Sequence, residues 1–541
     1  MRKLLALLLL FSTLSVSAQM ETPKNWWDLD RTDNNYPGVS AAKTHSYLSG
    51  KKATKVVVAV IDSGVDVEHE DLRDVIWTNP GEIAGNGIDD DNNGYIDDIH
   101  GWNFIGGKDG RNVNYENLEI VRLYNAYSKK YKNRNRDGLS RKEKAEYDAW
   151  KAYEKEINEK RDESAPLLMQ YTAIKEGMDM IVQTIGKPIE DITPEDVAAV
   201  NTKDMMSQQI KAIVKRQAAE GTTVAQLAEE LDGALDYFRS QVEYNYNPDF
   251  DARDIVGDNP GDLDDRNYGN NDVTGPDASH GTHVAGIIAA VRDNNLGVNG
   301  VGGPMVEIMS IRTVPNGDER DKDVANAIRY AVDNGASVIN MSFGKGYSPY
   351  KSAVDAAMKY AEKNDVLLIH AAGNDGKMLT LENNYPNDTY MGKKKTGKTW
   401  IEVGAASAFY DENLPASFSN YNKKYVDVFA PGRDIYSTIP GSGYASFNGT
   451  SMAAPMVAGI AALLRSYFPD LKAKQVREII LESAIPVNLE VKKPGSEDMV
   501  QFSDLSETGG LANAYTAVKL AERTKGKNKK AGKRDESLMM Y

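Results

Sequence analysis

The stretch Lys55-Val56-Val57-Val58-Ala59-Val60-Ile61 is apolar from Val56 onward and closes in Asp62-Ser63-Gly64-Val65-Asp66. A continuous β-branched run of this kind suits a strand buried on both faces of a parallel sheet; a strand with one wet face would alternate instead. The same pattern recurs further along the chain. Strand signals fall at 306–313, 337–341, 366–370, 401–404 and 426–429, and helical spacing at 321–334, 352–363, 451–467 and 473–483. Strands alternating with helices predict an α/β fold, a doubly wound parallel sheet with helices on both faces. In such sheets functional groups gather just past the carboxyl ends of strands. Asp62 stands at that place, although a strand-end turn would use an Asp equally well.

Two further stretches set chemistry-bearing residues on small-residue motifs. Ser279-His280-Gly281-Thr282-His283-Val284-Ala285-Gly286-Ile287-Ile288 reads as the start of a tightly packed helix. His280 and His283 are three apart, the spacing of a metal pair, but no third ligand with recognisable spacing is near. An imidazole at a helix start is expected to have its pKa pushed down, which suits a neutral base. Asn448-Gly449-Thr450-Ser451-Met452-Ala453-Ala454-Pro455 reads as a glycine turn that delivers a serine to the first turn of a buried helix. The hydroxyl there lies at the positive end of the helix dipole, beside N–H groups with no intrahelical partner. That setting suits a nucleophile whose reaction develops negative charge. The plainer use of Ser451 is as a helix N-cap. Two loops follow strands, Asn340-Met341-Ser342-Phe343-Gly344 and Ala371-Ala372-Gly373-Asn374. Asn374 is either a turn residue or a donor to an oxyanion.

Residues 115–245 differ in character, being rich in Lys and Glu at helical spacing. Tyr124, Tyr127 and Tyr131 share one face, as do Trp150, Tyr153 and Ile157. Ser140 with Glu143 and Thr223 with Gln226 form capping boxes, and Thr193-Pro194-Glu195 opens another helix. Roughly four to six helices are expected, an inserted all-α subdomain whose aromatic stripes are its own core rather than a ligand site. Before it, Asp89, Asp91 and Asn93 at alternate positions, followed by Gly94, match the start of a calcium loop. The twelfth position is His100 rather than Glu, so Asp97 or Asp98 is expected to close the coordination; a solvated acidic turn is the plainer reading.

The 541 residues are 41% hydrophobic and 26% charged, ordinary for a globular protein. A net charge of −15 argues against nucleic acid as a partner. The absence of cysteine excludes disulfides, thiolate zinc sites and a cysteine nucleophile. Arg2 and Lys3, an apolar run from Leu4 to Leu10 and Val16-Ser17-Ala18 make residues 1–18 read as a signal peptide cleaved after Ala18. No later stretch has the length of a transmembrane helix, so an exported protein, periplasmic or secreted and without membrane insertion, is expected. Trp26 and Trp27 are anchors in an otherwise polar N-terminal extension, residues 19–54. Residues 523–541 form a basic tail without apolar partners, expected to be disordered.

Asp62, His280 and Ser451 occur in that order, the order of subtilisin rather than of chymotrypsin or the α/β-hydrolases. The chain resembles the subtilisin-like serine proteases, the subtilase family. The resemblance rests on Val58-Ala59-Val60-Ile61-Asp62-Ser63-Gly64, His280-Gly281-Thr282-His283-Val284-Ala285-Gly286 and Gly449-Thr450-Ser451-Met452-Ala453-Ala454-Pro455. It covers roughly residues 45–114 and 246–522, the parts with strand–helix alternation. It implies a protease domain split into 55–114 and 246–522, with a helical insertion at 115–245. It implies an exported serine endopeptidase acting on polypeptides through an acyl-enzyme, with Ser451 as nucleophile, His280 as base and Asp62 as its orienting acid. Asn374 would be the oxyanion donor, and Ser342, Phe343, Gly344, Ala372 and Gly373 would bind substrate. His283 would be structural. No cofactor is implied for catalysis; calcium on Asp89, Asp91, Asn93, Asp97 and Asp98 would be structural. The family's acid and base motifs usually lie closer in sequence, so the insertion is expected to restrict access to the site or to bind a partner. The short extension at 19–54 has no room for a folded inhibitory propeptide, which leaves autoprocessing open. Two other classes compete: a non-catalytic binding protein on this fold, which a missing triad residue would favour, and a calcium-stabilised structural protein, which would leave the Ser451, His280 and Asn374 motifs unexplained.

Overall fold

The Val56–Ile61 run forms β1 (Val56–Asp62), buried along nearly its whole length. The structure, a computed structural model, describes residues 22–391 and 397–524. The predicted signal peptide and all of the predicted tail beyond Thr524 lie outside the described residues. The other strands are β2 (Gly101–Asn103), β3 (Val306–Arg312), β4 (Val338–Met341), β5 (Leu367–Ala371), β6 (Trp400–Ala406) and β7 (Val428–Pro431). A hairpin follows, β8 (Ile435–Ile439) and β9 (Gly443–Phe447), then β10 (Ile485–Pro486), β11 (Glu490–Lys492), β12 (Met499–Gln501) and β13 (Gly510–Leu511). Nine of them form one sheet in the order β10-β13-β7-β6-β5-β4-β1-β3-β2. Every pairing is parallel except β10 with β13 at the edge. β1 is flanked by β3 and β4, so the strand order reverses there, and the crevice past its carboxyl end is the expected ligand site.

Side chains of β1 alternate between two cores. Val58 and Val60 pack with α7 (Ser279–Ala289) and α10 (Thr450–Tyr467) on one face. Ala59 and Ile61 pack with α8 (Asp321–Asp333) and α9 (Lys351–Lys363) on the other. Each fully buried Val or Ile contributes about 1.5–3 kcal/mol, and no position in the strand is left for a polar face. The N-terminal extension joins the first core through Trp26, Trp27 and α1 (Ala41–Leu48). α11 (Ala473–Glu482) and α12 (Ala514–Ala521) complete that side.

Residues 115–245 hold five α-helices: α2 (Glu119–Tyr131), α3 (Arg141–Ile185), α4 (Pro194–Ala199), α5 (Met205–Ala219) and α6 (Val224–Arg239). Ser140 and Thr223 cap α3 and α6 with complete capping boxes, and Thr193 caps α4 with Asp196. The 45 residues of α3 span about 68 Å. Tyr124 stacks on Trp150 and Tyr127 on Tyr153, so the aromatic stripes hold α2 against α3. The far end has its own core around Met178, Ile181, Ile210 and Leu227. The near end packs Ile120, Val121 and Ile157 against Tyr347, which follows β4. Among the described residues no helix is long and apolar enough to cross a membrane.

Candidate active site

Asp62 ends β1 and is 2% exposed. Its Oδ1 accepts the Ser63 N–H at 2.8 Å and lies 2.6 Å from His280 Nδ1. A close approach makes this contact: a Cβ on Gly281 would fall 2.1 Å from the Gly64 carbonyl oxygen, so only glycine lets the start of α7 reach the end of β1. The His280 side chain is still 39% exposed. The expectation of a depressed His280 pKa is wrong. Burial does pull it down, but the charge and hydrogen bond of Asp62 outweigh burial and raise it above the usual 6.5.

Ser451 sits in the first turn of α10, which runs on through Pro455. Proline has no N–H to give to the carbonyl four residues back, which is that of Ser451. The Ser342 hydroxyl takes its place, donating to the Ser451 carbonyl at 2.9 Å. In return the Ser451 hydroxyl donates to the Ser342 carbonyl at 3.1 Å. Ser451 and His280 share no hydrogen bond among the described residues. Asn374 follows β5, and its Oδ1 accepts both the N–H and the hydroxyl of Thr450, at 2.8 and 2.9 Å. Its nitrogen end is thereby turned the other way. A methyl placed on Gly449 would lie 3.5 Å from both Asn374 Nδ2 and the Ser451 nitrogen. The two donors thus flank one small space beside the serine.

Ser342, Phe343, Gly344, Gly373, Asn374 and Ser451 line one cleft of about 760 Å³. Leu118, Ile120, Glu156 and Tyr246, from the helical insertion and its flanks, form part of its wall. Ala372, expected among the substrate-binding residues, does not line it. It is fully buried, and its carbonyl accepts the Asn384 and Asn420 side-chain amides, because the strand-end loop folds back over it. His283 stacks on Phe447 with its Nε2 3.1 Å from the Ala445 carbonyl, and it joins no metal-ligand cluster among the described residues.

The candidate calcium ligands divide. Asp89 accepts the N–H groups of Asn93 and Gly94, Asp97 those of Asn86 and Gly87, and Asn93 Oδ1 that of Tyr95. Asp91, which also accepts the Asn93 N–H, and Asp98 converge with Glu82, itself an acceptor of the Asp90, Asp91 and Asp97 N–H groups, with one oxygen from each within 4.8 Å of the others. Glu82, seven residues before Asp89, carried no signal in the loop pattern.

Two other residues escaped the sequence reading. Thr450 orients Asn374, and its hydroxyl also accepts the Gly373 N–H at 3.0 Å. Arg312, 1% exposed and paired in register with Asp62, donates from Nε to the Ser63 carbonyl at 2.8 Å. Burial lowers its pKa to about 10. An arginine closing a mostly apolar strand, after Glu307 and Ser310, was the available signal.

Residues 53–517 match the family described as the Subtilase family. The chain is 42% identical over 226 residues to the Thermophilic serine proteinase of Bacillus sp. (strain AK1), covering 42% of this chain and 50% of that protein. It is 37% identical over 206 residues to the Thermostable alkaline protease of Halalkalibacterium halodurans, covering 38% and 52%. It is 38% identical over 240 residues to Thermitase of Thermoactinomyces vulgaris, covering 44% and 74%. The chain thus spans about half the length of the first two relatives. With the family match running from before β1 to the middle of α12, the chain belongs to the subtilase family.

Proposed function

We propose that this chain is an exported serine endopeptidase that hydrolyses peptide bonds through an acyl-enzyme. One observation carries the reading: His280 Nδ1 is held 2.6 Å from Asp62 while Ser451 and Asn374 face one cleft. Ser451 Oγ attacks the scissile carbonyl and its proton passes to His280 Nε2. The C–N bond breaks as His280 returns that proton to the leaving amine. Water then attacks the ester by the same proton route, freeing Ser451. Asp62 holds the Nδ1–H and stabilises the imidazolium. Asn374 Nδ2 and the Ser451 N–H receive the oxyanion. In the resting arrangement the Ser451 hydroxyl is bound to the Ser342 carbonyl. A substrate N–H that competes for this carbonyl releases the hydroxyl toward His280.

Export rests on the pattern of residues 1–18, and the division into a split protease domain and an all-α insertion at 115–245 rests on the run of five helices from α2 to α6. Glu82, Asp91 and Asp98 are the proposed seat of a structural calcium ion. They offer hard oxygen donors, held now by backbone N–H groups, the Asn79 and Asn93 amides and the Tyr330 hydroxyl. The test of the enzyme reading is labelling with a fluorophosphonate probe. Wild type should take one label and Ser451→Ala none; a folded wild type that takes no label refutes the proposal.

A further inference from the structure

We propose that Glu319, with Asp318, forms an anionic subsite of the cleft that takes a Lys or Arg side chain of the substrate. The inference deepens the endopeptidase reading and rests on it. Both residues lie between β3 and α8 and line the cleft. Glu319 is 2% exposed, yet its Oε1 has no hydrogen-bond partner. Buried carboxylates are normally paired, so an orphan facing a substrate cleft needs an explanation.

The surrounding charges supply one. Five carboxylates meet here, on Glu116, Glu119, Asp318, Glu319 and Asp321, against the cations Arg122, Arg320 and Lys345. Arg122 pairs with Glu119 and Glu116, Arg320 with Glu116, and Lys345 with Glu119 and Asp321. Lys345 has three N–H groups, and its third acceptor is the Glu319 backbone carbonyl at 2.6 Å. Arg122 likewise donates to the Asp318 and Glu319 carbonyls, at 3.0 and 3.2 Å. The cations thus bond backbone oxygens and other carboxylates and, although Arg122 Nε is itself without a partner, none bonds the Asp318 or Glu319 carboxylate among the described residues. Asp318 receives only the Glu119 N–H, at 2.7 Å, and neither it nor Glu319 forms an ion pair among the described residues. Glu156, Asp375 and Glu382 add negative charge along the cleft, against Lys377. Burial, only partly offset by Lys345, pushes the Glu319 carboxyl up, so its charged form lacks a counter-charge until a cation arrives. An arriving ammonium or guanidinium would provide the missing counter-charge and the missing donors.

The experiment uses the full chain and fluorogenic peptides that differ at one residue, Lys, Arg, norleucine or Glu, walked through four positions on each side of the cleaved bond. At one position Lys or Arg should exceed norleucine in kcat/KM by at least about tenfold, with Glu the poorest. In Glu319→Gln that ratio should fall toward one. Melting and fluorophosphonate labelling establish that the variant is folded; if it is not, Asp318→Asn should lower the same ratio by a smaller factor. A flat profile in wild type, or an unchanged ratio in a folded variant, overturns the subsite while leaving the endopeptidase reading in place. No cleavage and no labelling would remove that reading and the subsite with it.

Discussion

Thr450→Val separates the orientation of Asn374 from its presence. Valine keeps the shape of the fully buried threonine and deletes only the hydroxyl. Two bonds go: Gly373 N–H to Thr450 Oγ1 at 3.0 Å, and Thr450 Oγ1 to Asn374 Oδ1 at 2.9 Å. The first leaves a backbone donor without its acceptor, which should lower stability by about 1–3 kcal/mol. The second leaves Asn374 Oδ1 with one donor of two, the Thr450 N–H at 2.8 Å. One hydrogen bond is worth about 1 kcal/mol, so the productive amide orientation should weaken by about fivefold. We expect kcat to fall about fivefold with KM nearly unchanged, against a loss of about 10²–10³ for Asn374→Ala. The assay is steady-state hydrolysis of an uncharged peptide, with active sites counted by the fluorophosphonate so that unfolded protein does not enter the rate. On the Asn374→Ala background Thr450→Val should cost nothing further in kcat. An equal fivefold loss on that background, or a change in KM alone, would refute the argument that Thr450 acts through the amide.

Activity should rise with pH through a midpoint above 6.5, because the imidazole must be neutral to accept the serine proton and Asp62 outweighs burial in raising its pKa; in Asp62→Asn the midpoint of the kcat/KM profile should drop and kcat fall by about 10⁴. Gly449 is extended, at φ 161° and ψ 157°, so Gly449→Ala should fold normally. Its methyl would enter the space between the two oxyanion donors, and kcat measured on the same peptide should fall by about 10²–10³. Burial lowers the pKa of His283 to about 3, so its native form is neutral; stability is intact above about 6.5 and lost as pH falls, by about 1.4 kcal/mol per unit. Urea melts at pH 7 and 5 should therefore show wild type losing about 2 kcal/mol more than His283→Gln over that interval. If calcium occupies the Glu82, Asp91 and Asp98 cluster, a chelator should lower the melting temperature by a few degrees, reporting about 2–3 kcal/mol of binding free energy at ligand levels near a hundred times Kd; an unchanged melt would rule the ion out.

What could be read from the chain before folding follows the range of the interactions involved. The double burial of β1 was legible because a strand inside a parallel sheet has no polar face to interrupt the run Val56–Ile61. The caps of α3 and α6 were legible because Ser140 and Glu143, or Thr223 and Gln226, bond within one turn. The contacts that tune the site are long-range. Asn374 meets Thr450 across 76 residues and His280 meets Asp62 across 218. The His280 error arose from that difference: the local effect of a helix start was weighed, and the distant carboxylate that overrides it has no local trace. Glu82 was missed for the same reason, since it reaches Asp91 and Asp98 by loop packing rather than by a fixed spacing.

The same consideration bears on the insertion. Its aromatic stripes and capping boxes mark it as a helical unit with its own core, which would suggest an appendage that could be removed. Its first turn is tied to the cleft instead. The Glu119 N–H donates to Asp318, Arg122 holds the carbonyls of Asp318 and Glu319, and the Glu119 carboxylate meets Lys345 two residues past the Ser342–Phe343 turn. Lys345 is 5% exposed and depends on that carboxylate for part of its compensation. Cutting the insertion away would leave a buried ammonium short of one partner, and burial of unpaired charge is among the costliest defects a fold can carry. The run α2–α6 is therefore better regarded as one wall of the cleft that has grown outward than as a separate body attached beside it.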